Sequence, residues 1–184
     1  MRAVADEAQV STRTLYNRYV DKLALFKACL ESGSAGFGER PLDPDEPPAE
    51  ALKRFASWVV EHLSYENSAS LGLLVYREGR EFPELLAAAD ANQDAWLVQP
   101  LARYLRQHRL EQARGCDNAK LFIALAISEY QRRITFMKPL PTPKERERHA
   151  ALATVVFLDG VECTMRTRTT QTRSRRMPRP SSRS

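Results

Sequence analysis

Between positions 12 and 22 the chain brings together Thr12, Arg13, Thr14, Tyr16, Asn17, Arg18 and Lys22. Each of these side chains can donate a hydrogen bond, and three carry a positive charge. An arginine can reach both acceptors on the major-groove edge of a guanine, while Thr, Tyr and Lys suit phosphate oxygens. Arg2, ten residues before Thr12, adds a further cation. The same types would also serve as an ordinary solvated helix face, with Tyr16 in the core. Which of the two holds depends on the elements that carry them.

Those elements can be read from Val4 to Phe26. Met1, Val4, Ala5 and Ala8 recur at three- and four-residue spacing, so a first helix is expected to end near Ala8 with these residues on one face. Gln9-Val10 is the turn. Ser11 is placed to accept hydrogen bonds from free amides as the N-cap of a second short helix. That helix carries Leu15 and Tyr19 on one face and the donors on the others. Asp21 caps a third helix, with Leu23, Phe26, Leu30 and Phe37 inward. Two short helices about a tight turn form a helix-turn-helix, whose second helix docks in the major groove.

The stretch resembles the DNA-binding domain of the TetR/AcrR family of bacterial transcription repressors. The family shows an A-G-V-S-x-x-T-L-Y-x-x-F-x-x-K-x-x-L-F pattern. Ala8-Gln9-Val10-Ser11, Thr14-Leu15-Tyr16, Tyr19, Lys22 and Leu25-Phe26 follow it here. Gln9 departs from the usual Gly. A side chain at that left-handed position costs about 1 kcal/mol, which weakens the turn without abolishing it. The resemblance implies that Arg2 contacts DNA from the first motif helix and that Thr12, Arg13, Thr14, Asn17 and Arg18 lie on the recognition helix. Tyr16 and Lys22 take the positions of the family's phosphate contacts. It also implies some twenty further residues before Met1, forming a helix that covers Leu15, Tyr19, Phe26 and Leu30. Without that helix the motif is expected to fray and to bind an operator poorly.

Farther along, REFPEL, PLARYL and FLDGV resemble the family's ligand-binding domain, so the likeness spans roughly residues 1–165. It implies an all-α chain in which residues 1–38 form the DNA-binding domain and 48–165 a helical ligand-binding and dimerisation domain. Residues 166–184, almost without apolar side chains and strongly basic, read from their composition as a disordered tail. The implied partners are a palindromic double-stranded DNA operator, a small apolar inducer that releases it, and a second copy of the chain. No cofactor is implied. A dimeric helical ligand-binding module whose DNA reader does not work is the alternative.

Composition separates the clues. The net charge of +5 comes from the tail, which holds seven arginines and no acid; residues 1–165 carry −2. DNA binding therefore has to rest on the motif and not on the isoelectric point. Cys29, Cys116 and Cys163 lie far apart without a metal-binding spacing, and Cys29, beside Leu30, reads as a small core residue. His62, His108 and His149 are isolated, so no metal site is expected. Glu78, Glu81 and Glu84, with His62 as a base, are the nearest approach to a catalytic group. They lack a nucleophile, a phosphate loop or a metal spacing, and no catalytic residue is expected. No apolar run approaches the ~18 residues of a membrane span, and the N-terminus lacks a signal peptide's regions, so a cytoplasmic protein is expected.

The remaining chain reads as helices. Glycines and prolines from Gly33 to Pro48 mark a loop and domain boundary. An amphipathic helix then runs from about Ala49 to Tyr65 and is broken at Glu66-Asn67-Ser68. A short apolar helix passes through Leu71, Leu74 and Val75. A helix from Pro83 runs to about His108, and Pro100 should kink it near Val98-Gln99. Asp117 should cap a helix reaching Phe136, and Thr142-Pro143-x-Glu145 is a capping box opening one that ends near Cys163. Each of these last two has apolar residues on two sides, which predicts a homodimer through 117–136 and 143–163. Trp58, Val59, His62, Trp96, Phe122, Leu125 and Glu129 face inward on the central helices and are the expected pocket positions, although ordinary core would use the same faces.

Overall fold

A computed structural model describes the backbone of residues 1–35, 42–80, 82–111 and 115–175, and the side chains of these except 34–35, 66–69, 76 and 162–175. The fold is all-helical, with 78% helix. In chain order the helices are α1 (Arg2–Glu7), α2 (Thr12–Arg18), α3 (Lys22–Ala35), α4 (Pro48–Leu63), α5 (Glu66–Glu78) and α6 (Pro83–Gln93). A π-helical turn (Asp94–Val98) leads into α7 (Gln99–Gln107), followed by α8 (Asp117–Thr135) and α9 (Pro143–Arg175). No described helix is long and apolar enough to cross a membrane.

Local chemistry sets most of the boundaries. Pro48 fills the first turn of α4 and Pro83 that of α6, where a missing N–H costs nothing. Thr142 and Glu145 form the expected capping box: the Thr142 amide donates to Oε2 of Glu145 at 2.8 Å, and the Glu145 amide donates back to Oγ1 at 3.4 Å. The break near Val98-Gln99 takes the form of the π-turn, which sets Pro100 in the first turn of α7 with its absent donor unmissed.

Three boundaries differ from expectation. Helix α4 stops at Leu63, and residues 66–68 open α5 instead of breaking the chain. Asp117 is the first helical residue of α8, and Cys116 holds the cap position. Helix α9 passes Cys163 and continues to Arg175, through ten residues read as disordered tail. No Gly or Pro interrupts Val161 to Met177, and once nucleated a helix adds one bond per residue. Residues 176–184 lie outside the described residues, as do Phe37 and the middle of the Gly33–Pro48 loop.

The main core lies among α4, α7, α8 and α9. Phe55, Phe122, Phe157, Leu52, Leu101 and Leu105 are fully buried there, and the Phe122 and Phe157 rings meet edge to face at 5.1 Å. On both apolar sides of α8 the middle of the helix is covered inside this protomer, while Leu125, Tyr130 and Ile134 are half-buried. Phe122, Ala126, Ile123 and Ile127 are all buried. What stays exposed is Leu121 on α8, with Leu152, Val155 and Val156 on α9.

A second, smaller core joins the two expected domains. Phe26 and Leu30 of α3 pack against Leu85 of α6, with Leu71 and Val75 of α5 beside them. The loop after α3 is thus a covalent boundary, not a packing boundary. Of the residues expected to lose cover, Leu15 of α2 and Phe26 and Leu30 of α3 are buried, and Tyr19, the C-cap of α2, is half-exposed. On α1, by contrast, only Ala5 of the four inward candidates is buried, and Val4 is 43% exposed. Cys29 lies on the exposed side of α3, one residue off the Phe26–Leu30 stripe.

Candidate nucleic-acid interface

Helices α1 and α2 meet at a turn whose Gln9 has φ 54, the left-handed conformation expected there. Ser11 caps α2, its Oγ accepting from the Thr14 amide at 3.0 Å, and the Ser11 and Thr14 hydroxyls share a hydrogen bond of 2.7 Å. Asp21 does the same for α3, with Oδ1 accepting from the Ala24 amide at 2.7 Å.

Leu15 is the single buried residue of α2 and anchors it. The donors then face outward. Arg13, Thr14, Tyr16, Asn17 and Arg18 are exposed, and Thr12 is half-buried. Tyr16 is 52% exposed, so it is not core. Helix α2 carries two arginines and no acid. Arg2 is exposed on α1, and Lys22 is exposed at the start of α3. The Arg18 guanidinium lies 5.8 Å from the centre of the Tyr19 ring, and the Lys22 ammonium 5.3 Å from that of Phe82. The eight residues singled out from the sequence are spread over three consecutive elements, seven of them exposed and Thr12 half-buried.

The inner site is a cavity of about 450 Å³. Its walls come from α3 (Leu30, Gly33), α5 (Leu71, Val75), α6 and the π-turn (Leu86, Trp96) and α8 (Ile127, Tyr130). No charged side chain lines it among the described residues; Asn92, Gln93 and Gln131 are its polar members. The Tyr130 hydroxyl donates to the Leu63 carbonyl at 2.8 Å, and burial pushes its ionisation upward, so it stays neutral.

Of the seven pocket positions expected from the sequence, Trp96 alone lines this cavity. Val59 and Phe122 fill the main core. Trp58 packs on Phe55 at 5.7 Å, and His62 donates from Nδ1 to the Trp58 carbonyl at 2.7 Å. Leu125 is half-buried against the main core, and its carbonyl accepts from Nε2 of His149 at 2.9 Å. Glu129 binds Arg132 and Arg133 at 2.8 Å each, and Arg133 reaches on to Glu145 at 2.7 Å. These arginines hold the carboxyls of Glu129 and Glu145 down at about 2. The cavity residues that sequence reasoning missed, above all Leu30, Val75 and Leu86, look like any helical stripe. Nothing in their spacing separates cavity wall from core.

His108 pairs with the Pro44 carbonyl at 3.1 Å, so all three histidines contact backbone carbonyls. No group of three metal-ligating side chains occurs among the described residues.

The fold has a known counterpart. The chain aligns with the crystal structure of a protein from Mesorhizobium loti MAFF303099, provisionally assigned as a TetR-family transcriptional regulator. The TM-score is 0.63, with 19% sequence identity over 86% of this chain and 84% of that one. At that identity the likeness establishes the fold, and this chain has the helical fold of that regulator. No protein-family model and no curated protein matches the chain.

Proposed function

We propose that this protein is a TetR-type DNA-binding transcriptional regulator that represses from a palindromic operator and is released by a small apolar ligand. The observation that carries the reading is α2. Its one buried residue anchors it, its N-cap is made, and every other side chain but half-buried Thr12 is an exposed polar or aromatic group facing away from the core. Arg13 and Arg18 suit base edges, and Tyr16 and Lys22 suit phosphates. A fold shared with a protein assigned as a regulator supports the same reading.

Operator reading needs two copies of α2 about one turn of DNA apart, ~34 Å. The apolar residues left exposed on α8 and α9 are the surface through which a second copy would pair. The cavity supports the ligand arm. Its lining is uncharged and mostly apolar, which suits a neutral ligand making hydrogen bonds to Gln93 or Gln131. Leu30 and Gly33 of α3 form part of its wall, so occupancy bears directly on the helix that carries Lys22. Coupling of this kind is typically worth about 1–3 kcal/mol.

Selection of bound duplexes from a random library tests the proposal. A palindrome with half-sites one turn apart should be enriched. A pool that stays random after repeated rounds would leave a ligand-binding module without a DNA reader.

A further inference from the structure

Phe82 is the N-cap residue of α6, and its ring is the platform beneath the Lys22 ammonium, 5.3 Å away. Hydrogen bonds fix the Phe82 backbone on both sides, which anchors the base of its side chain. Its amide donates to the Glu78 carbonyl at 3.0 Å, and its carbonyl accepts from the Leu85 amide at 2.9 Å. Pro83 follows and has a fixed φ. Leu85 then docks on Phe26 and Leu30, which carries Phe82 to the N-terminal end of α3, where Lys22 stands. A cation there meets the positive end of its own helix dipole, so α3 itself does not draw the ammonium in. The ring face, negative in its quadrupole, does.

The same corner forms part of the cavity wall. Val75 at the end of α5 and Leu86 on α6 both line it. Gly79 is wedged between them: a Cβ there would lie 2.5 Å from Cδ2 of Leu86. Gly79 is therefore closely approached by Leu86, and Phe82 follows it on the exposed side of the same corner, 36% exposed.

We propose that Phe82 is a positioning residue for DNA binding: its ring sets where the Lys22 ammonium stands, so the α5–α6 corner that walls the cavity also orients a phosphate-binding cation. The inference rests on the reading of Lys22 as a phosphate contact. Since phosphate contacts carry no sequence information, a short labelled duplex of random sequence is the probe.

Affinity is measured at low salt for the unaltered chain, Phe82→Leu, Lys22→Ala and the double variant, each with a circular dichroism melt to establish folding. Phe82→Leu keeps the apolar volume and removes the ring face, and Phe82→Met does the same should the leucine variant not fold. Phe82→Leu should weaken binding by about two- to five-fold, the size of an exposed cation–ring contact. Lys22→Ala should weaken it further, and the double variant should match Lys22→Ala alone. Phe82→Trp should restore the unaltered affinity. An equal loss from Phe82→Leu with and without Lys22 would overturn the proposal and leave the DNA-binding reading standing, as would no loss at all. If the unaltered chain does not bind the duplex, the phosphate role of Lys22 falls and this inference falls with it.

Discussion

The exposed strip on α8 and α9 offers the sharpest test of assembly, through Val155→Glu. Hydrogen bonds between Leu125 and His149 and the ion pair between Arg133 and Glu145 set α8 and α9 antiparallel. That register puts Leu121 level with Val155 and Val156. Leu121, Leu152, Val155 and Val156 are 52%, 60%, 56% and 50% exposed. Full burial of such a side chain is worth about 1.5–3 kcal/mol, so covering the remaining half of each gives ~1 kcal/mol. Four side chains on each of two copies then supply ~8 kcal/mol of gross attraction, and a dimer stable at micromolar concentration, about 8 kcal/mol net of the ~4–15 kcal/mol that association costs, draws the rest from the surface around them. Val155→Glu removes one apolar contact per copy and buries a carboxylate on each side, at a cost of several kcal/mol. Dissociation should strengthen by at least a thousandfold, about 4 kcal/mol. Sedimentation equilibrium at micromolar concentration should show the unaltered chain at twice 20.9 kDa and the variant at 20.9 kDa. A variant that remains a dimer would show that the interface lies elsewhere. An unaltered chain that is monomeric would refute the reasoning outright.

Arg13→Ala should lower affinity for a selected operator by about 1–3 kcal/mol while sparing random DNA, as competition titrations would show; equal losses on both would remove Arg13 from base reading. Gly79→Ala should destabilise the fold by about 1–3 kcal/mol in urea melts, because the new methyl would lie 2.5 Å from both Cδ2 of Leu86 and the Val75 carbonyl oxygen. A variant as stable as the parent would mean that the corner relaxes freely. Glu129 and Glu145 have carboxyls held at about 2, below the usual 4.5. Their contribution is therefore present above the unfolded value and lost as pH falls from about 4.5 through 2. Carboxyl resonances should titrate near 2 in the parent, and Glu145 should move up toward 4.5 in Arg133→Ala. A Glu145 that titrates normally in the parent would show the pair open in solution.

Interactions that close within a few residues were legible in the sequence. Ser11, Asp21 and the Thr142–Glu145 box cap as read, because a cap needs only a side chain and an amide two or three positions on. Gln9 in its left-handed turn and the kink before Pro100 are local in the same sense. The outward donors of α2 followed from the motif and from the placing of Leu15. Which candidates line the cavity was a different question. Trp58, Val59 and Phe122 carry the same periodic signal as Leu30, Val75 and Leu86, and periodicity reports that a face is covered, not by what. Only the packing of α3 onto α6 decides that Leu85 covers Phe26 and that a space remains beside Leu30.

The sequence by itself determined where the capped helices α2, α3 and α9 start and which side chains α2 could offer to DNA, since each depends on neighbours along the chain. Tertiary structure alone decided that Phe122, Ile123, Ala126 and Ile127 of α8 are covered within one protomer, leaving Leu121 and the α9 strip outside. It also decided that Lys22 meets Phe82, a residue sixty positions away that no spacing rule connects to it. Contacts of that kind depend on how rigid helices dock, and docking is settled by the sum of many side-chain volumes that no short stretch of sequence contains.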